Sequence, residues 1–164
     1  MPSAPERQAQ MKICVFSDSH GYAGTMLRAI EIHSPDMILH LGDGERDIEK
    51  VKSQFPSIPI TGVRGNCDWY SLLPETEQLN VCGLNILMTH GHVYGVKSGM
   101  DKLIGAARNY GAGLVLYGHT HRPAYTVDRG LHILNPGSCQ SPSGTFAVID
   151  VSAGGDLFCR LLGL

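Results

Sequence analysis

A chain of 164 residues with 43% hydrophobic content can bury one substantial core, and by length it holds one domain. Its formal net charge of -2 argues against nucleic acid or an anionic membrane as a standing partner. Its five cysteines, an odd number without a C-x-x-C pair, argue against a disulfide framework and for a reducing, cytoplasmic location.

Residues 1–10 lack the apolar core of a signal peptide and are expected to form a disordered extension ahead of one domain over 11–164, with Met11 a candidate start. No later run approaches the length needed to cross a bilayer. Ile13-Cys14-Val15-Phe16 is an apolar run that stops at Ser17-Asp18-Ser19-His20-Gly21, the pattern of a buried strand ending in a turn. Met26, Leu27 and Ile30 share a helical face, and Ser34-Pro35 ends it. Residues 37–41 give a second strand closed by Gly42-Asp43-Gly44, and a helix carrying Ile48, Val51 and Phe55 follows before Pro56 and Pro59. A third strand over 58–63 runs into Arg64-Gly65-Asn66-Cys67-Asp68. This alternation predicts parallel strands with helical crossovers.

Beyond it, strands over 77–81 and 84–89 flank Cys82-Gly83, the pattern of a tight hairpin, and the second of them ends in His90-Gly91-His92. Met100, Leu103, Ile104, Ala107 and Tyr110 mark an amphipathic helix that Gly111 stops. A strand over 114–117 ends in Gly118-His119-Thr120-His121, and short strands over 123–127, 131–135, 145–151 and 157–162 complete the chain. Two packed sheets covered by helices are expected.

Five of these strand-like runs end in a polar cluster: Asp18/His20, Asp43, Asn66, His90/His92 and His119/His121. In open α/β sheets, ligands gather beyond the carboxyl ends of the strands. The endings supply two carboxylates, one amide and up to five imidazoles, more than one divalent ion needs and enough for two. In a two-metal hydrolytic site the ions lie roughly 3.5 to 4 Å apart, clamp a phosphoryl oxygen and lower the pKa of a shared water. A carboxylate suits the bridging position. Oxygen and nitrogen donors without thiolate favour Mn, Fe, Zn or Ni over Ca or Mg.

Taken singly, each residue has a plainer use. Asp43 between two glycines and Asn66 after Gly65 suit turns, and His119/His121 suits a chance pair. His33, His40 and His132 are expected to be hydrogen-bonded core or surface residues. The joint occurrence at five strand ends is what favours ligands, with His92 the ambiguous member because His90 already serves its loop.

In chain order, D-S-H at 18–20, G-D at 42–43, G-N-C-D at 65–68, T-H-G-H at 89–92 and G-H-T-H at 118–121 resemble the motifs of the calcineurin-like metallophosphoesterases. The likeness covers 11–164 and points in particular to their small single-domain bacterial and archaeal phosphodiesterases. The resemblance implies an α/β fold, a four-layer α/β/β/α sandwich of two mixed β-sheets flanked by helices. It also implies two divalent transition-metal ions as cofactors, manganese first, with nickel, iron or zinc as alternatives. One ion would be held by Asp18, His20, Asp43 and His121, the other by Asp43, Asn66, His90 and His119, with Asp43 bridging. The implied reaction is hydrolysis of a phosphodiester, a hydroxide shared between the ions attacking phosphorus in line.

Asn66, Cys67, Asp68 and His92 are the candidate catalytic residues, with Asp68 expected to orient a ligand and His92 or water to deliver a proton to the leaving group. Two positions depart from the family pattern. G-D-x-x-D would put an acid at 46, where this chain has Arg46, with Asp47 one step later. The common G-N-H motif carries a histidine where this chain has Cys67, a weak donor, which favours diesters with good leaving groups. Cys67 serves equally well as a packed thiol, while Arg64 and Arg122 are read as solvated charge.

Two rivals remain. One is an interaction scaffold resembling the retromer subunit of this fold, which has lost part of its ligand set. The other is a phosphomonoesterase or nuclease on the same site; 7% aromatic content and a slight negative charge weaken the nuclease. The expected partner is a small phosphodiester, with no standing nucleic acid, no membrane, and room for a homo-oligomer.

Overall fold

In β1 (Met11–Phe16), Ile13 and Val15 point to one face and Cys14 and Phe16 to the other, and all four are fully buried. A strand covered on both faces must lie between two layers, and that requirement organises the fold. The computed structural model describes residues 10–140 and 143–163. In chain order β1 is followed by α1 (Ala23–His33), β2 (Met37–His40), α2 (Glu45–Gln54), β3 (Ile60–Gly62), β4 (Thr76–Val81), β5 (Leu84–Thr89), α3 (Asp101–Tyr110), β6 (Leu114–Leu116), β7 (Ala124–Asp128), β8 (Leu131–Asn135), β9 (Thr145–Val151) and β10 (Leu157–Gly163).

The strands form two five-stranded sheets, ordered β10-β9-β1-β2-β3 and β4-β5-β6-β8-β7. Between them lies a core that includes Ile13, Val15, Leu39, Ile86, Met88, Leu116 and Ile149. The outer face of the first sheet packs Cys14, Phe16, Ile38 and Val148 against Met26 and Ile30 of α1 and Val51 of α2. The outer face of the second packs Leu87, Val115 and Ile133 against Leu103 and Ala107 of α3. The architecture is a four-layer α/β/β/α sandwich of two mixed sheets. Each fully buried Leu, Ile or Phe in it contributes on the order of 1.5–3 kcal/mol.

Local chemistry ends the elements where the sequence places its stops. Ser34 caps α1 in the left-handed region, and Gly111 caps α3 with its N–H on the carbonyls of Ala107 and Arg108. Cys82 and Gly83 both have positive φ, 51° and 84°, the two-residue turn that suits the twist of the β4–β5 hairpin.

Three expectations change. The third strand is shorter than 58–63, because Ile58 closes a turn onto Phe55 and Pro59 offers only its carbonyl, which accepts from Ile38. Phe55 caps α2 rather than continuing it. The second half is not simply antiparallel: β4–β5 and β7–β8 are, but β5, β6 and β8 pair in parallel. The extension expected over 1–10 lies outside the described residues except for Gln10, which is exposed. Among the described residues, no helix is long and apolar enough to cross a membrane.

The parallel pairings β1–β2–β3 and β5–β6 bring the carboxyl ends of these strands to one rim. Backbone bonds stitch the loops there: Asp18 N–H donates to Gly42 O, His20 N–H to Asp43 O, and Gly118 N–H to His90 O, at 2.9–3.0 Å.

Candidate metal centre

Five of the residues singled out at that rim adopt a backbone conformation that L-residues avoid. Asp18, His20, Asp43, His119 and His121 have φ of 54°, 44°, 58°, 68° and 60°. Asp and His tolerate this region better than most residues, yet each such position still costs on the order of 1 kcal/mol and needs support from its surroundings. The glycines of the motifs let the loops close in. At Gly65 a Cβ would collide with the Asp43 carboxylate, and at Gly42, φ 103°, it would lie 2.7 Å from Gly65 N and 2.8 Å from His90 Nδ1.

The side chains converge with carboxylate oxygens and imidazole Nε2 atoms facing inward. Ser17 Oγ and the His119 N–H both donate to Asp18 Oδ2, at 2.6 and 3.0 Å, while Asp18 Oδ1 is buried without a hydrogen-bond donor. That oxygen lies 3.1 Å from His121 Nε2 and 3.8 Å from both His20 Nε2 and His90 Nε2. Asp43 Oδ1 accepts from Cys67 N–H at 2.8 Å, leaving Oδ2 between the rings of His20 and His90, 3.7 and 3.3 Å from their Nε2 atoms. The Leu41 carbonyl, 2.7 Å from His90 Nδ1, accepts the proton of that nitrogen, and His90 Nε2 faces Asn66 Oδ1 at 3.0 Å. Two carboxylate oxygens and three imidazole nitrogens crowded at this range leave room for a shared positive charge, which protonated rings or a bound cation would supply.

The electrostatics agree. Burial pushes the Asp43 carboxyl up, but the His90 ring, the Cys67 N–H and His20 together hold it well below the usual carboxylate range. Burial pushes His90 down, and the carboxylates of Asp43 and Asp18 overcome it and hold the ring above its ordinary value. The site is a buried pool of negative potential that favours positive charge.

Three compact groups of donor atoms result: Asp18/His20/His121, Asp18/Asp43/His90 and His20/Asp43/Cys67. His119 stands farther out, its ring centroid 5.0 Å from that of His90, and His92 lies 5.4 Å from His90 with a buried Nδ1 that has no partner. Cys67 is exposed, and burial together with the charge of Asp43 raises its thiol pKa. Among the described residues, no hydrogen bond or ion pair joins the Asp68 carboxylate to a ligand side chain. That carboxylate accepts four backbone N–H groups, from Asp43, Gly44, Glu45 and Gly65, and so orients Asp43 through the main chain.

Sequence reading missed several supports. Asp47 Oδ2 accepts from Ser19 Oγ at 2.6 Å and Gly21 N–H at 2.9 Å, fastening the first loop to α2. Its place one turn before Val51, on the face of α2 that Val51 buries, was the available signal. Arg64 is not simply solvated but pairs with Glu75 at 2.6 Å. Of the three plainer histidines, His33 packs edge-on to Phe146 and His132 bonds Tyr125. His40 is fully buried, accepting from Gly42 N–H through Nδ1 and so donating through Nε2 to Ser19 Oγ.

Protonating His40 would set a donor against the Gly42 N–H, and burial pushes its pKa down from 6.5 to about 4 against the pull of Asp18, Asp68 and Asp47. The unfolded chain then binds this proton more readily than the folded one. The stabilisation is complete above pH 6.5 and is lost as pH falls toward 4, by about 3 kcal/mol in all. Urea unfolding in chelator across that window should show this slope, and His40→Asn should flatten it by most of that amount.

Residues 11–154 match the calcineurin-like phosphoesterase superfamily domain. The chain is 31% identical over 135 residues to the probable metallophosphoesterase YsnB of Bacillus subtilis (strain 168), covering 80% of this chain and 77% of that one. It is 27% identical to the phosphodiesterase YfcE of Escherichia coli (strain K12), covering 82% of each. Among solved structures, a predicted phosphoesterase of Streptococcus pneumoniae TIGR4 superposes with a TM-score of 0.74 at 25% identity, over 95% of this chain and 99% of that one. Vps29 of Cryptosporidium parvum gives the same TM-score, 0.74, at 14% identity over 94% and 99%, a likeness of fold alone.

Proposed function

Because the chain belongs to the calcineurin-like phosphoesterase superfamily, we propose that it is a binuclear, metal-dependent phosphodiesterase acting on a small diester. The observation that carries this reading is the convergence of Asp18 Oδ1, Asp43 Oδ2 and the Nε2 atoms of His20, His90 and His121 at separations of 3.1–3.8 Å. In this reading Asp18, His20, Asp43 and His121 hold one ion, and Asp43, Asn66, His90 and His119 hold the other. The donor set suits manganese, with nickel, iron or zinc as alternatives. Two ions held there supply charge neutralisation at the phosphoryl oxygens and a water acidic enough to act as nucleophile at neutral pH.

The chain's own contribution is positional. Ser17 and the His119 N–H aim Asp18, the Leu41 carbonyl sets the tautomer of His90, and Asp68 holds the backbone of Asp43. Asn66 turns its oxygen toward His90 and its amide nitrogen toward Cys67 Sγ, 3.5 Å away. His92 stands beside His90, and either it or water would deliver a proton to the leaving group. A thiol at 67 offers no cation to a dianionic monoester, which supports a monoanionic diester as substrate. The phosphodiesterase name of YfcE points the same way. A cytoplasmic location belongs to the same reading.

The test compares bis(p-nitrophenyl) phosphate with p-nitrophenyl phosphate in the presence of Mn, Ni, Fe and Zn. The wild type should turn over the diester preferentially, and Cys67→His should raise monoester turnover by roughly tenfold, the size of one charge-assisted contact. Unchanged monoester turnover would return Cys67 to a packing role. Metal bound without turnover of either ester would favour an interaction scaffold.

A further inference from the structure

A cleft of ≈ 660 Å³ opens beside the candidate metal centre, lined by His20 and Asp43 of that centre and by Arg46, Cys67, Trp69 and Tyr70. Trp69 is 82% exposed and Tyr70 99% exposed, so the two rings give almost none of their area to the fold. Neither ring stacks on another among the described residues, and Arg46, also exposed, makes no hydrogen bond or ion pair among them. Large exposed aromatics beside a polar centre are unfavourable for the isolated chain and mark a contact surface.

These rings are also firmly mounted. They directly follow Asp68, whose carboxylate takes four backbone N–H groups, and Ser71 N–H returns to the Asp68 carbonyl at 3.3 Å. Such a mount lowers the ordering cost of binding. The cleft also carries charge, with Glu45 on its lining beside Arg46, which fits a small polar ligand better than the apolar face of a protein partner. Arg46 supplies a free cation for an anion or for the face of a π-system.

We propose that Trp69 and Tyr70 form a stacking subsite for a flat heteroaromatic ring on one ester arm of the substrate, with Arg46 facing it, so that the substrates are nucleotide-derived phosphodiesters. The proposal rests on the phosphodiesterase reading for its reaction. The net charge of -2 favours a single nucleotide unit over a polymer, since a polyanion needs a run of cations.

Trp69 is the only tryptophan in the chain, so its emission reports this subsite directly. The full-length, zinc-loaded protein is titrated with adenosine 5′-monophosphate and with ribose 5-phosphate, which carries the phosphate without the base. The nucleotide should quench the emission saturably and the sugar phosphate should not. As inhibitors of bis(p-nitrophenyl) phosphate turnover, the nucleotide should bind about tenfold tighter than the sugar phosphate. Trp69→Ala and Tyr70→Ala should each remove about that factor for the nucleotide alone, and Trp69→Phe should restore it. Equal inhibition by the two ligands with no change in emission would overturn the subsite, as would equal shifts of both inhibition constants in Trp69→Ala. Absence of diester turnover would sink the reaction while leaving the emission titration to decide the ring subsite by itself.

Discussion

Asp43→Asn is expected to fold normally, to lose diester turnover by roughly a thousandfold, several kcal/mol of charge stabilisation, and to bind less metal at both positions. The substitution isolates charge. Asp43 sits at φ 58°, a region asparagine accepts as readily as aspartate, and an amide oxygen can still take the Cys67 N–H now held by Oδ1. Its main-chain N–H would keep its bond to Asp68. What disappears is the anionic Oδ2 that faces both His20 and His90, at 3.7 and 3.3 Å. Metal analysis by mass spectrometry beside the turnover assay reads both consequences. Loss of a single ion with near wild-type turnover would show that Asp43 does not serve two metals.

Asp68→Asn should act through stability and metal affinity together. The carboxylate receives N–H groups from two loops, with Oδ2 taking Asp43 and Gly65 and Oδ1 taking Gly44 and Glu45. An asparagine can orient its oxygen to one pair only, and its NH2 would then confront the donors of the other. Hydrogen bonds to a charged acceptor contribute about 1.5–3 kcal/mol each, so an unfolding free energy lower by at least about 3 kcal/mol is expected. With one of these pairs lost and the backbone over 43–45 held less firmly, metal affinity should fall by roughly 10- to 100-fold. Urea unfolding of the metal-free protein and a metal titration measure the two effects separately. Intact stability and affinity with lost turnover would make Asp68 a participant in the reaction.

The contrast between these two residues explains what a sequence can disclose. Ile13 to Phe16 and the following Asp18 and His20 were legible because a buried strand leaves an unbroken apolar run and a turn leaves small polar residues. The stops at Ser34 and Gly111 and the Cys82-Gly83 hairpin are equally local, since each is set by one residue's tolerance of positive φ. What depends on distant pairing was hidden. Nothing local distinguishes the parallel β5–β6–β8 arrangement from a meander, or tells Arg64 that its partner is Glu75. The donor types of the centre could be named from five strand ends, but not the role of the Leu41 carbonyl, which only the fold brings to His90.

Asp47 is the instructive case among the residues missed. The acid expected at 46 is replaced there by Arg46, while Asp47 turns inward on α2 and fastens Ser19 and Gly21. One step along a helix swings a side chain by about 100°, enough to exchange the interior for the cleft. Position 46 is thereby left to face the cleft beside Trp69 and Tyr70. Cys67 is read the other way: its identity was plain in the sequence, while the burial and the Asp43 charge that raise its thiol pKa are imposed by the fold.

The central claim is that two ions, sharing Asp43, act together on a phosphodiester. Its most direct test is a titration of the metal-free protein with manganese, following bis(p-nitrophenyl) phosphate turnover and bound metal in the same samples. Turnover should stay low through the first equivalent, rise with the second and level off at two ions per chain. A plateau at one ion per chain, or two ions bound with no turnover, would contradict it.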